Sequence, residues 1–145
     1  MTKPAKIPES KVIKECGRAF RDFDHKVFWR NNSGGLVVGE GKGKRFIQFG
    51  LEGSSDWIDQ IPGSGRLLAC ECKRPYIKGV QSRGKLTEKQ TTFLHAVRDG
   101  GGVAICVDDA EVLRKVLSVL KTDPRAKFDI DGRCLVHWGC PVIFD

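Results

Sequence analysis

Leu67-Leu68-Ala69-Cys70-Glu71-Cys72-Lys73-Arg74-Pro75 is the stretch on which the reading of this 145-residue chain turns. It starts with the apolar content of a buried strand and ends by presenting a carboxylate and an amine two residues apart. Side chains alternate along a strand, so Leu67, Ala69, Glu71 and Lys73 share one face while Leu68, Cys70 and Cys72 share the other. Glu71 and Lys73 therefore point the same way. A charge in the middle of a sheet is costly unless a metal, a phosphate or an opposite charge answers it. A plain salt bridge at a strand end meets that demand, and the flanking segments decide whether the pair does more.

Upstream, Gly50-Leu51-Glu52-Gly53-Ser54-Ser55-Asp56-Trp57-Ile58-Asp59 crowds small residues before Asp56 and resumes an extended apolar pattern behind it. The turn Pro62-Gly63-Ser64-Gly65 then reverses the chain. The segment after Asp56 is thus expected to pair antiparallel with the Glu71 strand and bring Asp56 beside Glu71. Asp59, odd in register with Asp56, is expected to face the other way.

Downstream of Pro75 the chain loses apolar residues and gains Lys78, Arg83 and Lys85 among glycines, which predicts a mobile basic loop. Thr87-Glu88-Lys89-Gln90 opens a helix with Phe93, Leu94 and Val97 inward, closed by Gly100-Gly101-Gly102. Thr87 and Gln90 fit a capping box, and a first-turn residue here also falls near the end of the strand feeding the helix. Val103 to Val107 is a second buried strand, so the unit is expected to be a right-handed parallel crossover. Asp108 or Asp109 caps a last helix with Val112, Leu113, Val116, Leu117 and Leu120 inside, ending before Pro124. The tail, Phe128 to Asp145, reads as short strands and a surface for a partner.

Toward the N-terminus, Val12, Ile13, Cys16, Ala19, Phe20 and Phe23 recur at three- and four-residue intervals, a helix from Pro8 or Glu9 to about Phe23. Steps of about 100° put Glu9 in line with Ile13, Cys16 and Phe20, facing the protein body, and Glu15 on the flank with Lys11, Arg18 and Asp22. Glu9 has a plain role as negative charge at a helix N-terminus; it is also a third carboxylate aimed at the Glu71 strand. Val27 to Arg30 forms a short strand, followed by a turn at Asn31 to Gly35. Leu36 to Val38 and Arg45 to Phe49 form a hairpin tipped by Gly41-Lys42-Gly43-Lys44, whose lysines are either solvated or in contact with a phosphate backbone.

A chain of this length with 40% hydrophobic residues holds one core, so residues 1–145 are read as a single domain of the α/β class, with the C-terminal strands at 125–145. No run approaches the roughly 18 apolar residues of a membrane span, and Met1-Thr2-Lys3-Pro4 lacks the apolar core of a signal peptide. The expectation is a soluble cytoplasmic protein. A net charge of +7 fits a polyanionic partner. Among the six cysteines, Cys70, Cys72 and Cys106 fall on apolar strand faces and read as small core residues. Cys134, His137 and Cys140 are the group that can gather around a metal, with no C-x-x-C pair to support it.

Ser55-Asp56 followed by Glu71-Cys72-Lys73 resembles the signature of the PD-(D/E)xK nuclease superfamily, with serine where proline is common. Glu9 on an opening helix, Trp29-Arg30-Asn31, Gly53 to Ile58, Glu71 to Pro75, Gly84 to Gln90 and Gly102-Val103 extend the likeness over about residues 9–120. In order and approximate spacing they resemble the virus-type replication-repair nuclease (VRR-NUC) family, especially its short stand-alone phage and bacterial members. The resemblance implies a restriction-endonuclease-like fold, a central mixed β-sheet flanked by helices, and hydrolysis of DNA phosphodiesters with Mg²⁺ or Mn²⁺. It implies Asp56, Glu71 and the Cys72 carbonyl as metal ligands. Glu9 would bind a second metal or a water on it, Lys73 would orient the water and stabilise charge, and Gln90 would hold the nucleophile or Lys73. Arg30, Lys42, Lys44, Arg74, Lys78, Arg83 and Lys85 would lie along DNA phosphates, which carry no base code. The likeness of short members to Holliday-junction resolvases implies a homodimer acting on four-way junctions or flaps. A nuclease fold that binds nucleic acid without cutting and a sequence-specific restriction-type enzyme are the competing readings.

Overall fold

The computed structural model describes residues 2–136. In chain order its elements are α1 (Glu9–Asp22), β1 (Phe28–Arg30), β2 (Gly34–Val38), β3 (Arg45–Phe49), β4 (Trp57–Gln60), β5 (Leu67–Cys72), α2 (Glu88–Asp99), β6 (Val103–Val107), α3 (Ala110–Thr122), β7 (Lys127–Phe128) and β8 (Cys134–Val136). The central sheet has the order β1-β4-β5-β6. Only β5 and β6 run parallel; β1, β4 and β5 are successively antiparallel. The chain is thus mixed α/β, a mixed sheet with helices on both faces.

The alternation in β5 sorts the core into two layers. Leu68, Cys70 and Cys72 join Val103, Ile105 and Val107 under α1 and α3, whose inner stripes supply Val12, Cys16 and Phe20 and Leu113, Val116 and Leu117. Ala69 and Ala104 face the other way with Ile58 and Cys106, and their small side chains let α2 settle on the sheet through Leu94 and Val97. The last helix is capped by Asp109, whose carboxylate accepts the Glu111 N–H at 2.9 Å.

One contact bolts α1 to β4. The Trp57 indole N–H donates to the Ile13 carbonyl at 2.9 Å, and its ring lies where a Cβ on Gly17 would stand, 2.6 Å from Cζ2. Glycine at position 17 lets ring and helix meet. Behind α1, Asp24 takes a left-handed φ of 60° and turns His25 inward, where its Nδ1 lies 2.9 Å from both carboxylate oxygens of Asp59. Asp59 therefore faces away from Asp56, as its register requires, and burial pushes its carboxyl up while His25 opposes the shift.

Two expectations need correction. The central strand, whose alternation in the sequence extends through Lys73, ends one residue earlier at Cys72, because its parallel partner ends opposite at Val107; one further bond, Lys73 N–H to Val107 O at 2.8 Å, closes the ladder. The segment after Pro75 is tied down rather than loose. Ile77 and Gln81 exchange backbone bonds at 3.0 Å, the Gly84 N–H donates to the Arg74 carbonyl, and Arg83 pairs with Asp108 at 2.8 Å. Backbone polar groups that lack a sheet partner here find partners within the loop.

β2 and β3 pair as expected but form their own two-stranded sheet, tipped by a 3-10 turn at Gly41–Gly43. Leu36, Val37, Phe46, Ile47 and Phe49 on it stay 40–65% exposed. In the tail, β7 and β8 bracket a turn at Asp131 and Gly132, and the Cys106 N–H donates to the Ile130 carbonyl, covering the outer edge of β6. Residues 137–145, with His137 and Cys140, lie outside the described residues; Cys134 is buried in the core.

Candidate functional site

The site assembles where β4 and β5 part. Their register pairs Trp57 with Cys70, so Asp56 sits in the next row, opposite Glu71, where backbone pairing has ended. In place of a ladder bond, Asp56 Oδ2 accepts the Cys72 N–H at 2.7 Å. The N–H and C=O of one strand residue point to the same side, so the Cys72 carbonyl is directed into the same gap.

Asp56 is held from behind by the Arg30-Asn31 pair. Arg30 Nη1 donates to the Asp56 carbonyl at 2.9 Å and Nη2 stands 3.4 Å from Oδ1. The Asn31 N–H donates to the same carbonyl at 2.7 Å, and its side-chain amide donates to Ser54 Oγ and the Ser55 carbonyl. Ser55 is fully buried with its Oγ unpaired.

Glu71 and Lys73 arrive from β5 on the α2 face, as alternation requires. Glu71 is almost wholly buried; its Oε1 accepts from Gln90 Nε2 at 2.9 Å, and its Oε2 has no hydrogen-bond partner. Burial, and then the negative charge of Asp56, push its carboxyl from 4.5 up to about 8, with Lys73 pulling the other way. The Lys73 amine donates to Gln90 Oε1 at 3.0 Å and lies 3.5 Å from Glu71 Oε1 and 3.6 Å from Glu9 Oε1. A lysine this buried needs such company.

Gln90 both caps its helix and reaches the end of the strand that feeds it. Its Oε1 accepts the Thr87 N–H at 2.9 Å and its own N–H donates to Thr87 Oγ1, completing the capping box, while the same amide bridges Lys73 and Glu71. The cap fixes the helix start, and the helix start fixes the amide at the strand end.

Glu9 reaches the cluster from the first turn of α1. Carboxylate oxygens of Glu9, Asp56 and Glu71 lie within 4.8 Å of one another. Three hard oxygen donors with the backbone carbonyl beside them suit Mg²⁺ or Mn²⁺. The buried, unpaired Glu71 Oε2 fits that assignment, since an orphaned carboxylate oxygen is costly until a proton or a cation joins it.

The expected DNA-contacting residues divide. Lys42, Lys44, Lys78 and Lys85 are exposed and make no ion pair among the described residues. Arg30 is committed to Asp56, Arg74 donates to the carbonyl and hydroxyl of Ser82, and Arg83 pairs with Asp108. These three shape the site and its loop.

Sequence reasoning missed Gln81. Its amide donates to the carbonyls of Ile7 and Pro75 and accepts the Ile7 N–H at 3.0 Å, clasping the segment two residues before Glu9 to the loop that follows β5. A lone glutamine in a basic loop gives no local signal of such a role. His25 as the partner of Asp59 was missed for the same reason. No family model matches the chain, and no curated protein or solved structure matches it either.

Proposed function

We propose that this chain is a divalent-metal-dependent, structure-selective DNA endonuclease of the PD-(D/E)xK, VRR-NUC type. One observation carries the reading: three carboxylates from α1, the approach to β4, and β5 converge within 4.8 Å, with an amine 3.5 Å from the most buried of them. A salt bridge alone needs one acid per amine; two further acids driven together without a cation would repel one another.

Asp56, Glu71, Glu9 and the Cys72 carbonyl would hold the Mg²⁺ or Mn²⁺. Such an ion supplies positive charge at the scissile phosphate and acidifies water beside it. Lys73 supplies a fixed positive charge and N–H donors where negative charge develops, and Gln90 keeps that amine and Glu71 in place. Arg30 and Asn31 orient Asp56. Lys78 and Lys85 on the loop beside the strand end, with Lys42 and Lys44 on the hairpin, provide phosphate contacts that follow the backbone without reading bases.

The hairpin favours a homodimer. A two-stranded ribbon with apolar residues exposed on it is marginally stable alone and buries that surface readily against a second copy. Five-residue strands reach roughly 17 Å, so the tip lysines stand about that far from the base of the hairpin. Sedimentation of the wild type and of Phe46→Ser tests this: a dimer that the substitution leaves intact refutes the hairpin interface.

Purified protein with Mg²⁺ or Mn²⁺ and three labelled DNAs, a linear duplex, a flap and a four-way junction, tests the activity. Junction- or flap-dependent incision is the expected result. Retention of DNA without incision would make the chain a binding module, and cutting at one sequence in linear duplex would make it a restriction-type enzyme.

A further inference from the structure

On the sheet face opposite the Glu71 side chain, Cys16 of α1 meets Cys70 and Cys72 of β5. All three are fully buried, free of disulfides, and have sulfurs within 4.8 Å of one another. Neighbours i and i+2 on a strand stand about 6.8 Å apart, so the two β5 side chains lean toward a common point that Cys16 approaches from the helix. Three atoms no more than 4.8 Å apart lie within that length divided by √3, about 2.8 Å, of a shared centre. Metal–thiolate bonds are about 2.3 Å long. An inward shift of about half an ångström per sulfur would complete a trigonal sulfur site.

We propose that Cys16, Cys70 and Cys72 form a binding site for a soft monovalent cation, Cu⁺, for which Ag⁺ is a redox-silent substitute. Sulfur donors select soft ions. Zn²⁺ in a structural site takes four protein ligands, and among the described residues no fourth histidine, cysteine or carboxylate belongs to this group. Val12, Phe20, Trp57 and Leu68 line the same core cluster, so water is kept from the ion. Each thiol that ligates as a thiolate releases one proton to solvent, and the ion keeps its oxidation state. A bound ion ties α1 to β5. The proposal stands apart from the nuclease reading, which uses the backbone carbonyl of Cys72 but none of the three sulfurs.

Because the site is closed, loading is tested by refolding the full chain anaerobically with Cu⁺ buffered by a chromophoric chelator, and separately with Ag⁺. One ion per chain is expected, with a raised urea midpoint. X-ray absorption of the wild-type Cu⁺ form should count three sulfurs at about 2.3 Å. Cys16→Ser should weaken Cu⁺ by more than about 100-fold, while the combined Cys106→Ala, Cys134→Ala and Cys140→Ala variant keeps wild-type affinity. Failure of the wild type to retain an ion, full affinity in Cys16→Ser, or a four-ligand Zn²⁺ form that outcompetes Cu⁺ would each overturn the assignment. The sulfur count needs no variant, so poor folding of Cys16→Ser does not rescue it.

Discussion

Glu71→Gln separates the charge of the buried carboxyl from its shape, and its effect on stability follows from the site without reference to cleavage. Burial and Asp56 carry this carboxyl from 4.5 up to about 8 in the folded chain. Between those values the native state holds a proton that the unfolded state has released, so wild-type stability falls as pH rises. The contribution is fully present below the unfolded value and lost on approaching the folded one. Each pH unit in the window costs about 1.4 kcal/mol, so between about pH 5 and pH 8 the wild type should lose about 4 kcal/mol relative to the glutamine variant. Glutamine keeps an Oε1 for Gln90 and supplies an amide in place of the unpaired Oε2. Urea unfolding of both proteins in metal-free buffer at unit pH steps reads the difference directly. It should widen steadily and flatten above about pH 8. A difference that stays constant across the range refutes the account of Glu71. Because a cation must displace that proton, Mn²⁺ affinity should rise by about tenfold per pH unit below the same point and then level off.

Removing divalent cations with a chelator should stop incision, and Mg²⁺ or Mn²⁺ should restore it; cutting that persists in chelator removes the metal from the reaction. Asp56→Ala should abolish incision of a flap or junction, and Lys73→Ala should lower the single-turnover rate by about 10²–10³-fold with little change in Mn²⁺ affinity, measured by calorimetry. Gly17→Ala should cost about 1–3 kcal/mol in urea unfolding, because its Cβ would fall 2.6 Å from the Trp57 ring; an unchanged midpoint refutes the close-contact reading. Gln81→Ala should slow incision through Glu9, so its effect should vanish in a Glu9→Gln background; effects that multiply instead would show that Gln81 acts elsewhere.

The amino-acid order by itself determined the two-sided character of β5, the antiparallel return from Asp56, the parallel crossover through α2, and the inward set of Glu9. Each rests on a local period or a turn, so a short window of residues suffices to state it. The place of Gln90 was legible because a capping box fixes where a first-turn side chain lies. The tertiary structure alone decided that Gln81 clasps the segment before Glu9, that Arg74 and Arg83 serve their own loop, that Trp57 lands on Gly17, and that Cys16 joins Cys70 and Cys72. Arg74 apart, whose partner Ser82 is eight residues on, those contacts join residues 25 or more positions apart, and their geometry depends on how whole helices settle on the sheet. Periodicity names the face a side chain occupies; only packing names the neighbour it finds there.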